Sequence, residues 1–75
     1  MASICILGSG GWGTALAVSA EKQGHTVSLW SPFENEINYL KLKHNNPLLP
    51  DVKIDDSIIL TTDISVVNLA ELVVI

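Results

Sequence analysis

Between Leu7 and Thr14 the chain reads Gly8-Ser9-Gly10-Gly11-Trp12-Gly13, directly after the apolar run Ile4-Cys5-Ile6-Leu7. Glycines at the spacing G-x-G-x-x-G have a definite physical use. The first permits a tight turn off a strand. The second omits a Cβ where a diphosphate must approach the main chain, and the third lets a helix lie close on the strand. A helix that opens at such a turn aims free N–H groups and the positive end of its dipole at the anion. The chemistry implied is capture of a diphosphate by backbone amides, which needs no lysine. The pattern G-x-x-x-x-G-K-[ST] is absent, so a P-loop for nucleoside triphosphates is excluded. A turn that merely tightens a strand–helix junction is the plainer alternative; the apolar run before the hexamer and the helical pattern after it favour the diphosphate. Trp12 has two readings, an apolar plug over the first helical turn and a shape contact along the ligand, and both stay open.

About 20 residues beyond a loop of this kind, an Asp or Glu at the end of the second strand usually binds the hydroxyls of an adenosine ribose. Leu29-Trp30-Ser31-Pro32 stands there instead. The nearest acid, Glu34, is placed to complete a capping box with Ser31. The 2′-phosphate of NADP calls for a guanidinium, and the chain has no arginine; Lys22, Lys41, Lys43 and Lys53 lie away from that corner. NAD is therefore favoured over NADP by the lack of the NADP device. The expected cofactor-binding set is Gly8, Gly10, Gly11, Trp12, Gly13 and Ser31. His25 and His44 fall at the rim opposite the carboxyl ends of the strands and read as surface histidines. Cys5, in mid-strand, reads as an inert core thiol. No catalytic group and no metal site is expected in the chain.

The elements that must position the glycine turn follow from patterning. Ser3 to Leu7 is β-prone throughout, as a strand covered on both faces would be. Thr14 to Gln23 reads as a helix burying Leu16, Ala17 and Ala20, with Gly24 as its stop. Thr26 to Trp30 is a second strand. Ser31 as N-cap, Pro32 at the first position and Glu34 as box partner open a second helix, with Phe33, Ile37 and Leu40 on its buried face. Lys41, Lys43 and His44 suit its last turn, and Asn45-Asn46-Pro47 ends it. A loop runs from Pro47 to Asp56. Ser57 to Thr61 reads as a third strand, Asp63 as the cap of a short helical turn through Leu69, and Leu72 to Ile75 as a fourth strand. The alternation predicts an α/β fold: a Rossmann-type parallel sheet, partial, of about four strands in the order 3-2-1-4.

Composition narrows the partners. The 75 residues carry a net charge of −4 without a basic cluster, which disfavours nucleic acid and anionic membranes. No apolar run is long enough for a membrane span, and the lone cysteine suits a reducing compartment, so a cytoplasmic protein is expected. A chain of this length buries only about 60% of its unfolded surface. The apolar finish Leu72-Val73-Val74-Ile75 resembles a core strand, so the chain reads as residues 1–75 of a longer protein, the N-terminal part of a dinucleotide-binding domain without its substrate domain.

The stretch Gly8-Ser9-Gly10-Gly11-Trp12-Gly13-Thr14-Ala15-Leu16-Ala17 closely resembles the NAD(P)-dependent glycerol-3-phosphate dehydrogenases. So do Gly24-His25-Thr26-Val27-Ser28-Leu29-Trp30, Asn46-Pro47-Leu48-Leu49-Pro50-Asp51-Val52 and Thr61-Thr62-Asp63. The resemblance implies reversible hydride transfer between a nicotinamide, NAD or NADP, and C2 of sn-glycerol 3-phosphate, giving dihydroxyacetone phosphate, in a homodimer. It implies dinucleotide contacts at Gly11 and Trp12. Basic residues that favour NADP often follow the position of Trp30 in that family; Pro32 and Phe33 stand there here. The position matching Leu49 is commonly aromatic and near the cofactor. The catalytic lysines and the helical substrate domain of the family would follow Ile75, so the 75 residues are expected to bind without catalysing. Two other readings remain: a related N-terminal domain of a hydroxyacyl-CoA or 6-phosphogluconate type of dehydrogenase, and a non-catalytic nucleotide-binding or self-associating module.

Overall fold

The computed structural model describes residues 2–75. In chain order the elements are β1 (Ser3–Leu7), α1 (Gly11–Lys22), β2 (Thr26–Trp30), α2 (Glu34–Lys43), β3 (Ile59–Thr61), a 3₁₀ helix (Ile64–Leu69) and β4 (Leu72–Val74). All strand pairs are parallel and the order is β3-β2-β1-β4, as the alternation of elements requires. Register places Cys5 of β1 opposite Ser28 of β2 and Val73 of β4, and Leu29 of β2 opposite Ile6 and Leu60. The α/β class and strand order read from the sequence are therefore those of the folded chain.

Helices α1 and α2 supply Ala17, Val18, Ile37 and Leu40 to a core completed by Ile6, Val27 and Leu29 of the sheet and by Ile54 and Ile58 of the loop before β3. The 3₁₀ helix packs against β1 and β2. Cys5 is fully buried, and that burial pushes its thiol pKa upward.

Element ends depart from expectation where glycine, proline or a turn intervenes. Helix α1 begins at Gly11 rather than Thr14. Gly10 is its N-cap, and the Thr14 N–H already donates to the Gly10 carbonyl at 2.9 Å. Glycine is a poor helix former by about 1 kcal/mol per residue, and close packing on β1 overrides that preference. The capping box of Ser31 and Glu34 does not form. Residue Phe33 is the N-cap of α2 with no side-chain cap, and it is 61% exposed rather than part of the buried face. Extended backbone at Phe33 sets Ser31 too far from the helix to cap it, so Ser31 Oγ accepts from the Phe33 N–H at 3.2 Å instead. At its other end α2 stops on His44 in the left-handed region, φ 56°. Strand β3 starts at Ile59, two residues later than expected, because Asp55 accepts from the N–H groups of Ser57 and Ile58 in a preceding turn. Strand β4 ends at Val74, one residue early. The cap at Asp63 is as expected, its carboxylate accepting from the Ser65 N–H at 2.9 Å.

Two outcomes follow for stability. Leu29 is fully buried between two parallel neighbours, so Leu29→Ala is expected to cost about 2–5 kcal/mol, read as a lowered urea midpoint. The Ser65 hydrogen bonds hold the Asp63 carboxyl below the usual aspartate range. A depressed folded-state pKa stabilises above the unfolded value of about 4, and that contribution fades as pH falls through the folded value. Urea titrations at pH 7 and pH 3 should therefore show a gap between wild type and Asp63→Ala that shrinks in acid.

Candidate functional site

The carboxyl ends of β1 and β2 meet the amino end of α1, and the glycine loop is the joint. Gly8 leaves β1 at φ +126°, a conformation that L side chains rarely adopt, and its N–H donates to the Trp30 carbonyl at 2.7 Å. This bond ties the first turn residue to the last residue of β2. A methyl group built on Gly13 would collide with the Gly8 carbonyl oxygen and lie 3.6 Å from Ile6 Cγ2. Helix α1 can thus sit on the end of β1 only without a side chain at that point. Gly10 is the opposite case: a Cβ there meets nothing within 4 Å. One glycine makes the close approach, and the other leaves an open face of main chain above it.

No side chain caps α1, and no acid stands in its first turn. The N–H groups of Gly11, Trp12 and Gly13, lacking intrahelical partners, are the donors that an anion would use. Trp12 is 71% exposed, so its ring plugs no core. A Cβ on Gly11 would come within 3.3 Å of Leu48 Cβ, which shows how closely the segment after α2 lies over the start of α1.

That segment is fastened by Asn46. Its side chain is buried, and Nδ2 donates to the Ser9 carbonyl at 2.8 Å and to Thr14 Oγ1 at 2.9 Å. Its Oδ1 accepts from the Leu48 N–H at 2.9 Å, and the Leu49 N–H returns to the Asn46 carbonyl at 2.8 Å. One amide therefore joins the glycine loop, the first turn of α1 and the loop beyond α2.

Glu36 provides a second tie. Its Oε1 accepts from Ser9 Oγ at 2.5 Å and from Ser31 Oγ at 3.3 Å, joining the glycine loop to the end of β2. Ser31 itself is buried. Between these ties lies a groove of about 360 Å³ walled by Ser9, Gly10, Glu36, Tyr39, Asn46 and Leu48. From the loop beyond α2, Asn46, Pro47 and Leu48 line it, and Leu49 does not.

The six residues expected from the sequence share one rim: Gly8, Gly10, Gly11, Trp12 and Gly13 follow β1, and Ser31 follows β2. From the sequence, Asn46 reads as the end of a helix and the start of the family-like stretch to Val52, and the acid near the end of β2 that the pattern singles out is Glu34, not Glu36. Asn46 offered no periodic or spacing signal, since its partners are remote in sequence. Neither histidine lines the groove. His25 Nδ1 accepts from the Ala2 N–H at 3.0 Å, and His44 Nδ1 stands 3.2 Å from Asp56 Oδ1. Among the described residues no group of His, Cys, Asp and Glu is arranged to hold a metal, and no helix is long and apolar enough to cross a membrane.

If Asn46 fixes the loop, Asn46→Ala should cost about 1–3 kcal/mol, the usual penalty for stranding buried hydrogen-bond partners. Urea unfolding measures the loss. Faster hydrogen exchange at the Leu48 and Leu49 amides, with β1 amides unchanged, would localise it.

The chain is similar to known proteins over almost its whole length. The family described as NAD-dependent glycerol-3-phosphate dehydrogenase N-terminus matches residues 3–75. The glycerol-3-phosphate dehydrogenase [NAD(P)+] of Agathobacter rectalis is 49% identical over 65 residues, covering 85% of this chain and 19% of its own length. That of Maricaulis maris is also 49% identical over 65 residues, with 84% and 19% covered. The chain thus spans about a fifth of the length of these curated relatives. The crystal structure of glycerol-3-phosphate dehydrogenase from Coxiella burnetii superposes with a TM-score of 0.82 at 28% identity, over 97% of this chain and 24% of that one. A glycine turn open at Gly10 and closed at Gly13, in a β3-β2-β1-β4 sheet, goes with a match over almost every residue: the chain belongs to the NAD-dependent glycerol-3-phosphate dehydrogenase N-terminal family.

Proposed function

We propose that residues 1–75 are the first part of a dinucleotide-binding domain, and that they hold the pyrophosphate of NAD or NADP on the rim formed by Gly8, Gly10, Gly11, Trp12, Gly13 and Ser31. The whole protein would interconvert sn-glycerol 3-phosphate and dihydroxyacetone phosphate. The observation that carries the reading is the asymmetry of the loop: Gly13 is locked onto the Gly8 carbonyl, whereas Gly10 faces open space at the uncapped start of α1. The residues present suit the group. Its diphosphate is an anion, and the rim offers amide donors and a helix dipole with no acid in the first turn to oppose it.

When bound, the nicotinamide supplies the site that accepts or gives up a hydride. The task of this chain is earlier and simpler. Backbone N–H groups of α1 fix the phosphates, Trp12 offers an apolar surface beside them, and Ser31 marks the corner where a ribose would follow. The four lysines lie at the end of α1, in the last turn of α2 and in the loop before β3, and none of them lines the groove beside the glycine loop. Hence binding of glycerol 3-phosphate and the proton transfers that accompany hydride movement would fall to the rest of the protein. The domain assignment of the whole chain, 1–75, rests on the same ground: four strands form half of a doubly wound sheet.

Titration of the protein with NADH and NADPH, followed by Trp12 and Trp30 fluorescence, should saturate with at least one of them. In Gly10→Val affinity should fall more than tenfold while the circular dichroism spectrum is kept, since a Cβ at that point meets nothing within 4 Å in the free protein. Unchanged affinity in that variant, or no saturation of the wild type by either dinucleotide, would overturn the reading.

A further inference from the structure

We propose that Glu36 is the residue that selects the dinucleotide, accepting a hydrogen bond from an unmodified adenosine ribose and excluding a 2′-phosphate, so that the site takes NAD in preference to NADP. This assignment rests on the pyrophosphate reading above and extends it to the ribose.

Position comes first. An adenylate half bound in a fold of this kind runs from the glycine turn to the carboxyl end of β2. Glu36 bridges those two points, since its Oε1 accepts from Ser9 Oγ in the glycine loop and from Ser31 Oγ just beyond β2. The end of β2 itself carries no acid; the strand finishes Leu29-Trp30 and continues Ser31-Pro32. The carboxylate at this corner is instead delivered from the first turn of α2. Both hydroxyls bind Oε1, which leaves Oε2 as the oxygen for a ligand hydroxyl, and Glu36 lines the groove beside Ser9 and Gly10.

Preorganisation comes second. A free surface glutamate must give up side-chain freedom to meet a ligand. The carboxylate of Glu36 is held at one oxygen by two hydroxyls, both on buried serines, Ser9 and Ser31. Ser31 is oriented in turn by the Phe33 N–H. The chain Phe33–Ser31–Glu36–Ser9 therefore fixes an acceptor at the corner where a ribose diol would arrive, and such a diol has two hydroxyls to donate.

Charge comes third. A 2′-phosphate would meet Glu36, with Glu34 in the same helical turn. No arginine exists to offset them, and Lys41 and Lys43 stand in the last turn of α2, at its far end. Like charges facing one another at short range are unfavourable, and they are relieved only by a cation that this corner does not have.

The test is a comparison of affinities in the full-length protein, by tryptophan fluorescence or calorimetry, for NAD and NADP and for the fragments 5′-AMP and adenosine 2′,5′-bisphosphate. The wild type should bind the members without a 2′-phosphate at least tenfold more tightly. Glu36→Gln should weaken NAD several-fold, strengthen NADP and close most of that gap; Glu36→Lys should reverse the order. Glu36 is exposed, and circular dichroism and the urea midpoint check that each variant keeps the fold. A wild type that binds both dinucleotides within threefold, or a gap that survives in Glu36→Gln, would overturn the assignment and leave the pyrophosphate cradle standing. Binding of none of the four ligands by the wild type would overturn the cradle and this assignment together.

Discussion

The fold and the site both depend on the contact between Gly13 and the carbonyl of Gly8. With hydrogen in place of a methyl group, α1 descends onto the end of β1, and its unbonded N–H groups are held at the mouth of the sheet. Any side chain would lift the helix away, because backbone cannot yield as the tip of a flexible side chain can. The Gly8 turn, the bond to the Trp30 carbonyl and the clearance above Gly10 are all arranged about that approach. What would bind a phosphate is therefore a product of packing: dipoles of the main chain are fixed before any ligand arrives.

Around this joint the chain uses neutral or singly charged ties in place of basic side chains. Asn46 holds the loop beyond α2 against the glycine turn, and Glu36 holds α2 against it from the other side. These two residues turn three separate segments into the walls of one groove. A buried amide with all its partners satisfied specifies one arrangement, because each alternative strands a polar atom. A carboxylate held on two hydroxyls is kept in one place at the edge of the groove.

Most of this architecture could be read from the sequence because it is local. Strand, turn and helix around Gly8 to Gly13 are contiguous, and both the period-two and the 3.6-residue patterns survive in short segments. Parallel order followed from chain connectivity and the handedness of crossovers. The misreadings lie where two local rules compete. Ser31-Pro32-Phe33-Glu34 has the composition of a capping box, yet extended backbone at Phe33 moves the helix start beyond the reach of Ser31. Gly11 and Gly13 lower helix propensity, yet the helix includes them because tertiary contact outweighs about 1 kcal/mol per residue. The side-chain ties of Asn46 to Ser9 and Thr14, and of Glu36 to Ser9, join residues 27 or more positions apart. No periodicity encodes such pairs, and only the folded chain brings them together.

Cys5 gives the sheet its own stopwatch. The sole thiol of the chain lies on β1, an inner strand, fully enclosed, between Ser28 on one side and Val73 on the other. An alkylating reagent attacks only thiolate, and burial disfavours that form here. Labelling must then wait until β1 parts from its neighbours. The rate at which this sulfur is modified reads out how often the sheet comes open, on a clock set by unfolding and indifferent to events at the outer surface of the glycine turn.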